Sequence, residues 1–170
     1  MSIKQMNLFD TFPELVDSNN PNRFIEYLNP DVQLFIHKCY EHANYKINDY
    51  VNNVCTVLMS YLIRKGHLVP NSHRHSLVEC LLISALLHDI YYEGYDKPST
   101  LFKAREEFIP IAKQDIYEYG PIPDQILDAV FQAIEEQQGD ASDIQKLVPV
   151  PGGPSDLLAT SIWIVKNFMQ

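Results

Sequence analysis

The sequence predicts an all-α protein of about six to seven helices, and three observations support this fold class. Apolar side chains recur at steps of three and four residues along several segments, which is the period of an amphipathic helix. No segment sustains the alternation of apolar and polar residues that is typical of a half-buried strand. Capping residues, glycines and prolines separate the helical segments at intervals. A length of 170 residues, with no internal repeat and no clear linker, then indicates one domain.

The first half of the chain predicts a short helix followed by a long one. We interpret residues 1–29 as an N-terminal extension with a short helix near 22–28, and residues 30–170 as the helical domain. Proline is favoured in the first turn of a helix, so a helix is expected to start at Pro30 and to continue to Lys65. The glycine that follows at position 66 is expected to end it.

The second half of the chain predicts four further helices. Ser72 is a suitable N-cap for a helix that ends at His88-Asp89. This segment is apolar on nearly every side, which predicts a central and buried helix. After a polar, tyrosine-rich loop, we expect helices over 100–119, with a bend at its proline, and over 124–138. A last helix is expected over residues 155–168.

Composition and charge restrict the classes of function. Apolar residues make up 46% and charged residues 21%, which indicates a globular protein rather than a disordered chain. The 13 basic and 22 acidic residues give a net charge of -9, which argues against a surface that grips nucleic acid or an anionic membrane. The most apolar stretch, Leu81–Leu87, is far shorter than the roughly 20 residues that span a bilayer.

The cysteines and the N-terminal segment indicate the cellular compartment in which we expect the protein. Cys39, Cys55 and Cys80 are widely spaced and form no pair with the spacing of a zinc or redox motif. The first residues lack the apolar stretch that a signal peptide needs. Buried, reduced thiols and a cytoplasmic location are therefore expected.

The pair His88-Asp89 is the most informative feature of the sequence. It places two strong metal-ligand side chains at the point where a core helix stops, and buried polar groups need partners. One interpretation is a metal site. The other is a structural pair in which Asp89 caps a neighbouring helix and His88 binds a backbone carbonyl. The residues alone leave both open.

Around this pair the sequence resembles the HD superfamily of all-α metal-dependent phosphohydrolases. The resemblance covers roughly residues 44–167 and is sharpest in Ser84–Ile90, which reads SALLHDI. It implies that a histidine of the first helix, the His-Asp pair and an aspartate of the last helix bind one divalent metal. It also implies that a metal-bound water attacks the phosphorus of a nucleotide or another small phosphate ester. The metal could be Mg, Mn, Co, Ni, Zn or Fe.

The two outer ligands of the family have no direct counterpart in this sequence. An antiparallel first helix would bring the family's histidine to residues 49–53, which read Asp-Tyr-Val-Asn-Asn. Asp49 is one candidate third ligand, and His42 is another if the long helix breaks. The family's aspartate falls near residues 160–163, which contain no acid. Asp156 is therefore the candidate fourth ligand, although a first-turn acid can also offset the helix dipole.

Charged residues that follow the pair complete the candidate site. Glu93 and Asp96 could orient or deprotonate a metal-bound water. The densest basic cluster of the chain could neutralise a phosphate, or could form a solvated helix start. Its members are Lys97, Lys103 and Arg105.

The sequence thus supports two functional hypotheses. The first is a metal-dependent phosphohydrolase that acts on a nucleotide or another small phosphate ester. The alternative is a catalytically inactive HD-like domain that binds a nucleotide or a protein partner, with His88 and Asp89 as structural remnants. The first implies a small phosphorylated partner such as a nucleotide, and the alternative implies a nucleotide or a protein. Neither predicts a nucleic-acid or membrane partner, and both leave a homo-oligomer open.

Overall fold

The backbone confirms the predicted all-α class. The computed structural model describes residues 19–64, 77–91, 99–137 and 154–168. Within these ranges the chain forms seven helices and no strand. The helices are α1 (Arg23–Tyr27), α2 (Pro30–His42), α3 (Asp49–Arg64), α4 (Leu77–Leu87), α5 (Ser99–Ala112), α6 (Asp124–Gln137) and α7 (Pro154–Phe168). None of these described helices combines the length and the apolarity that crossing a membrane requires.

Helix α4 lies at the centre of the bundle. It packs against α2, α3, α6 and α7, and every residue from Val78 to His88 is buried. A helix that is apolar on all sides is stable only where neighbours cover all its faces, so the predicted central position is confirmed. The pair His88-Asp89 directly follows this buried helix.

The predicted helix from Pro30 to Lys65 is wrong, because the structure divides it into α2 and α3. Residues 43–48 form a turn between them, in which Asn44 adopts a left-handed φ of 51°. Asparagine tolerates this conformation better than most residues. The side chain of Asn48 then accepts a hydrogen bond from the backbone N–H of Val51 and caps α3.

Helix α5 ends earlier than predicted. It runs through Pro110 and stops at Ala112, whereas residues 113–119 form turns. The buried carboxylate of Asp31 holds this segment, since its two oxygens accept hydrogen bonds from the backbone N–H groups of Glu118 and Tyr119, each at 2.9 Å. A carboxylate that satisfies two backbone donors stabilises the turn in place of a longer helix.

The N-terminal helix α1 packs on α2 and shares its core. Phe24 and Ile25 are fully buried in the same apolar cluster as the later helices. The beginning of the helix predicted from Ser72, most of the predicted tyrosine-rich loop at 91–99 and almost all of the loop predicted at 139–154 lie outside the described residues.

Candidate functional site

His88 lies in the turn that follows α4 and is almost completely buried. Its Nδ1 is 2.6 Å from the carbonyl oxygen of Ala85, and since a carbonyl only accepts, Nδ1 donates. Burial lowers the pKa of His88 below its ordinary value of 6.5, and the charge of Lys166 acts in the same direction. The ring is therefore neutral at physiological pH, and Nε2 is a hydrogen-bond acceptor.

The hydroxyl of Tyr50 donates a hydrogen bond to this nitrogen. Tyr50 lies in the stretch 49–53, where the resemblance would place a histidine, and its hydroxyl is 2.9 Å from Nε2 of His88. The two rings are tilted by 59°, with centroids 5.5 Å apart. A neutral imidazole nitrogen has a single lone pair, so the hydrogen bond from Tyr50 uses the only electron pair that His88 could offer to a metal.

Asp89 binds a second tyrosine. The hydroxyl of Tyr45, in the turn between α2 and α3, donates to Oδ2 of Asp89 at 2.9 Å. Burial and the negative charge of Asp89 raise the pKa of Tyr45, so this hydroxyl keeps its proton. His88 thus makes the carbonyl contact expected of a structural histidine, whereas Asp89 binds a phenol instead of capping a helix.

A third tyrosine completes a regular pattern. The hydroxyl of Tyr40 donates to the carbonyl oxygen of Leu86 at 2.6 Å. Tyrosines at every fifth position, 40, 45 and 50, therefore all bind the chain between residues 86 and 89. We call residues 40–50 the tyrosine strap. The signal in the sequence was this spacing, but tyrosines near a core helix usually indicate packing alone.

Lys166 places a positive charge beside the ring of Tyr50. It is exposed in the last turn of α7, and its Nζ is 5.9 Å from the centre of the Tyr50 ring. Helix α7 packs on α3 and α4, which positions this side chain beside the Tyr50–His88 pair. Sequence reasoning missed Lys166 because a basic residue in a last turn is commonly explained by the helix dipole. We call Tyr45, Tyr50, His88, Asp89 and Lys166 the His–Asp centre.

The candidate outer ligands have other surroundings where the structure describes them. Asp49 is exposed in the first turn of α3. The Nε2 of His42 is 3.1 Å from Oε2 of Glu107, which links α2 to α5. The break after α2, which His42 would have needed to act as a ligand, exists, but His42 is engaged with Glu107.

Several candidate residues lie outside the described part of the chain. Glu93, Asp96 and Lys97 fall between the described residues 91 and 99, and the side chain of Asp156 is likewise not described, although its backbone is part of α7. Their proposed roles as acid–base groups, phosphate ligand and metal ligand stay predictions.

The two described members of the basic cluster lie on α5 and contact aromatic rings outside that helix. The Nζ of Lys103 is 4.6 Å from the centre of the Tyr91 ring, and the guanidinium of Arg105 is 5.2 Å from that of Phe131. Tyr91 also donates its hydroxyl hydrogen to Glu107, and this bond lowers the pKa of Glu107. Lys103 thus lies in a network with Tyr91 and Glu107, which His42 also joins.

Comparisons with known proteins found no relative of this chain. No protein-family model, curated protein or solved structure matches this chain. We therefore infer the function from the residues of the His–Asp centre.

The described side chains do not fit the divalent metal that the resemblance implies. Within the described ranges, no three His, Cys, Asp or Glu side chains come together in a way that could hold a metal ion. Both ring nitrogens of His88 have hydrogen-bond partners, and Oδ2 of Asp89 accepts from Tyr45. The arrangement instead presents a carboxylate, two phenols and an ammonium group, which suits the binding of a polar ligand.

Proposed function

We propose that this chain is an HD-type helical domain whose His–Asp centre binds a small phosphorylated molecule, such as a nucleotide, without hydrolysing it. The observation that carries the proposal is the hydrogen bond from Tyr50 to Nε2 of His88, at 2.9 Å. A metal-ligating histidine needs one free ring nitrogen, and here Ala85 and Tyr50 take both. Hydrolysis of the kind known in the family depends on a metal-bound water.

The local charge supports a phosphorylated ligand. The chain as a whole is acidic, with a net charge of -9, so a phosphate is attracted only where a cation offsets the general field. Lys166 supplies such a cation beside Tyr50 and His88.

A second candidate function is the metal-dependent phosphohydrolase. One observation favours it, because Nδ1 of His88 donates to the carbonyl of Ala85 and leaves Nε2 as the basic nitrogen. A backbone carbonyl that accepts from the other ring nitrogen commonly orients a metal-ligating histidine. For this function Tyr50 would have to turn away from His88.

Three measurements on the full chain separate the two candidates. Elemental analysis and calorimetric titration with Mn²⁺, Ni²⁺ and Zn²⁺ measure metal binding. Release of phosphate from a panel of nucleotides measures hydrolysis. Thermal unfolding with the same nucleotides in the presence of EDTA measures binding without metal.

We expect no stoichiometric metal, no phosphate release and a rise in melting temperature with at least one nucleotide in EDTA. One metal per chain that is lost in His88→Ala, together with phosphate release, would establish the phosphohydrolase. If no phosphorylated compound stabilises the protein with or without metal, the proposal of a phosphate-binding module is wrong.

A further inference from the structure

The large apolar side chains that the described part of the chain exposes to solvent both lie in one loop. Ile116 is 43% exposed and Tyr119 is 68% exposed, and both belong to residues 113–123, which join α5 to α6. We call these residues the α5–α6 loop. It is longer than the roughly two to eight residues that usually join the helices of a bundle.

Contacts at both ends and in the middle hold the α5–α6 loop in one shape. The backbone N–H of Ile122 donates to the carbonyl oxygen of Ala112 at 2.9 Å, which brings the two ends of the loop together. The buried carboxylate of Asp31 accepts from the two backbone N–H groups that follow Tyr117, whose own side chain is buried. Compact surface loops with joined ends are frequently functional. A partner that binds such a preformed loop loses less conformational entropy than one that must order it.

We propose that the α5–α6 loop is a docking surface for a protein partner that offers apolar side chains bordered by lysine or arginine. Exposed apolar side chains that are grouped rather than scattered mark interaction sites, and aromatic residues are enriched in protein interfaces. Ile116 and Tyr119 meet both descriptions. The proposal goes beyond the proposed function, because the loop shares no residue with the His–Asp centre.

The charge of the loop determines which kind of partner fits it. An acidic residue precedes each of the two exposed apolar side chains, and both acids, Asp115 and Glu118, are themselves exposed. The basic residue of the loop, Lys113, pairs with Asp124 at 2.6 Å, so its charge is balanced. The loop therefore presents apolar groups beside negative charge. This combination complements lysine or arginine and repels the phosphates of nucleic acids and anionic lipids.

The same charge argues against a second copy of this chain as the partner. A two-fold contact uses the same patch on both copies, so it would bring the acids of one loop near those of the other. The net charge of -9 on each chain adds to this repulsion. A basic partner gains from the same charges that a second copy would have to overcome.

The test selects peptides from a random phage-displayed library on the immobilised full chain. The enriched peptides are synthesised, and their affinities are measured by fluorescence anisotropy for the wild type, Ile116→Ser, Tyr119→Ser and Glu118→Gln. The matched controls are Gln114→Ser, which changes an exposed polar side chain of the same loop, and Glu135→Gln, which removes an exposed carboxylate from α6. Circular dichroism and thermal unfolding establish that each variant is folded.

We expect the enriched peptides to combine lysine or arginine with apolar residues. Ile116→Ser and Tyr119→Ser should bind them roughly tenfold more weakly or worse, as the loss of a central interface residue usually does. Glu118→Gln should bind them more weakly than the wild type and with a smaller dependence on salt concentration. Both control variants should bind them as the wild type does.

Three other outcomes would contradict the proposal. If no peptide is enriched, or if Ile116→Ser and Tyr119→Ser bind the enriched peptides as tightly as the wild type does, the loop is not a docking surface. If binding depends on both side chains but the peptides lack basic residues, the chemistry assigned to the partner is wrong. If sedimentation shows a dimer that both serine substitutions dissociate, the partner is a second copy. None of these measurements uses a phosphorylated compound, so their outcome is independent of the proposed function.

Discussion

The hydroxyl of Tyr50 lies 2.9 Å from Nε2 of His88, so the first turn of α3 supplies the partner for a buried ring at the end of α4. On its other side the ring donates to the carbonyl of Ala85. A buried imidazole with partners on both nitrogens contributes to stability without any metal. The same two contacts link α3 to the end of α4 and engage both ring nitrogens of His88.

The substitution Tyr50→Phe should destabilise the fold. It removes the hydroxyl while the ring remains, and leaves Nε2 of a buried histidine without its donor. We expect the free energy of unfolding to fall by about 1–3 kcal/mol in urea denaturation. Tyr119→Phe is the matched control, because Tyr119 is 68% exposed, and its effect should stay within about 0.5 kcal/mol. Equal stability of Tyr50→Phe and the wild type would show that the hydrogen bond contributes nothing.

The substitution Tyr50→His should raise the affinity of the His–Asp centre for a divalent metal. An imidazole at position 50 would lie beside His88 and Asp89 and would no longer cap Nε2 with a phenol. We expect this variant to bind Ni²⁺ or Zn²⁺ more tightly than both the wild type and Tyr50→Phe in calorimetric titrations. Tyr50→Phe only removes the phenol hydroxyl, whereas Tyr50→His also adds a ligand nitrogen, so comparing both with the wild type separates the two effects. Wild-type affinity equal to that of Tyr50→His would contradict the capping role of Tyr50.

The sequence predicted the central helix of the fold but not the break beside it. Apolar residues on every side of α4 require burial on every side, and this inference needs no knowledge of the partners. The turn at 43–48 depends on Asn44 in a left-handed conformation, which many asparagines do not adopt. Apolar periodicity continues on both sides of that turn, and so the pattern favoured one uninterrupted helix.

For the centre, the sequence indicated His88 and Asp89 but not their partners. A histidine and an aspartate at the end of a buried helix must be satisfied by something, which made them informative. Which groups satisfy them depends on how α3 and α7 pack against α4, and this is a tertiary property. Tyr45, Tyr50 and Lys166 therefore emerge from the packing, because as single residues they are compatible with many roles.

The substitution Asp31→Asn should loosen the segment after α5. Asp31 is buried, and its two oxygens accept from the backbone N–H groups of Glu118 and Tyr119. An asparagine keeps one acceptor and turns an amide NH₂ toward the second donor. We expect a loss of about 1.5–3 kcal/mol in the free energy of unfolding. Asp115→Asn, at an exposed position, is the control and should be close to neutral; a similar loss there would refute the specific role of Asp31.

The thiols should be inert in the folded protein. Cys39 and Cys55 are fully buried and Cys80 is 8% exposed. Burial raises the pKa of all three thiols, that of Cys80 to about 11, so the reactive thiolate is scarce near neutral pH. In a reaction with Ellman's reagent we expect the denatured chain to release colour for three thiols and the native protein to react only as fast as it opens. Rapid labelling of a native thiol would place it at the surface.

Acid should destabilise the protein through His88. Its pKa in the folded state is lowered from 6.5, mainly by burial, while the unfolded chain titrates near the ordinary value. Below about pH 6.5 the unfolded state therefore binds a proton that the folded state does not. The free energy of unfolding falls there by up to about 1.4 kcal/mol per pH unit, and above this range the group contributes no pH dependence.

Urea denaturation between about pH 7.5 and 5 should show a smaller loss of the free energy of unfolding for His88→Gln than for the wild type. The exposed His37→Gln is the control and should keep the wild-type slope, whereas identical slopes for wild type and His88→Gln would contradict a neutral His88.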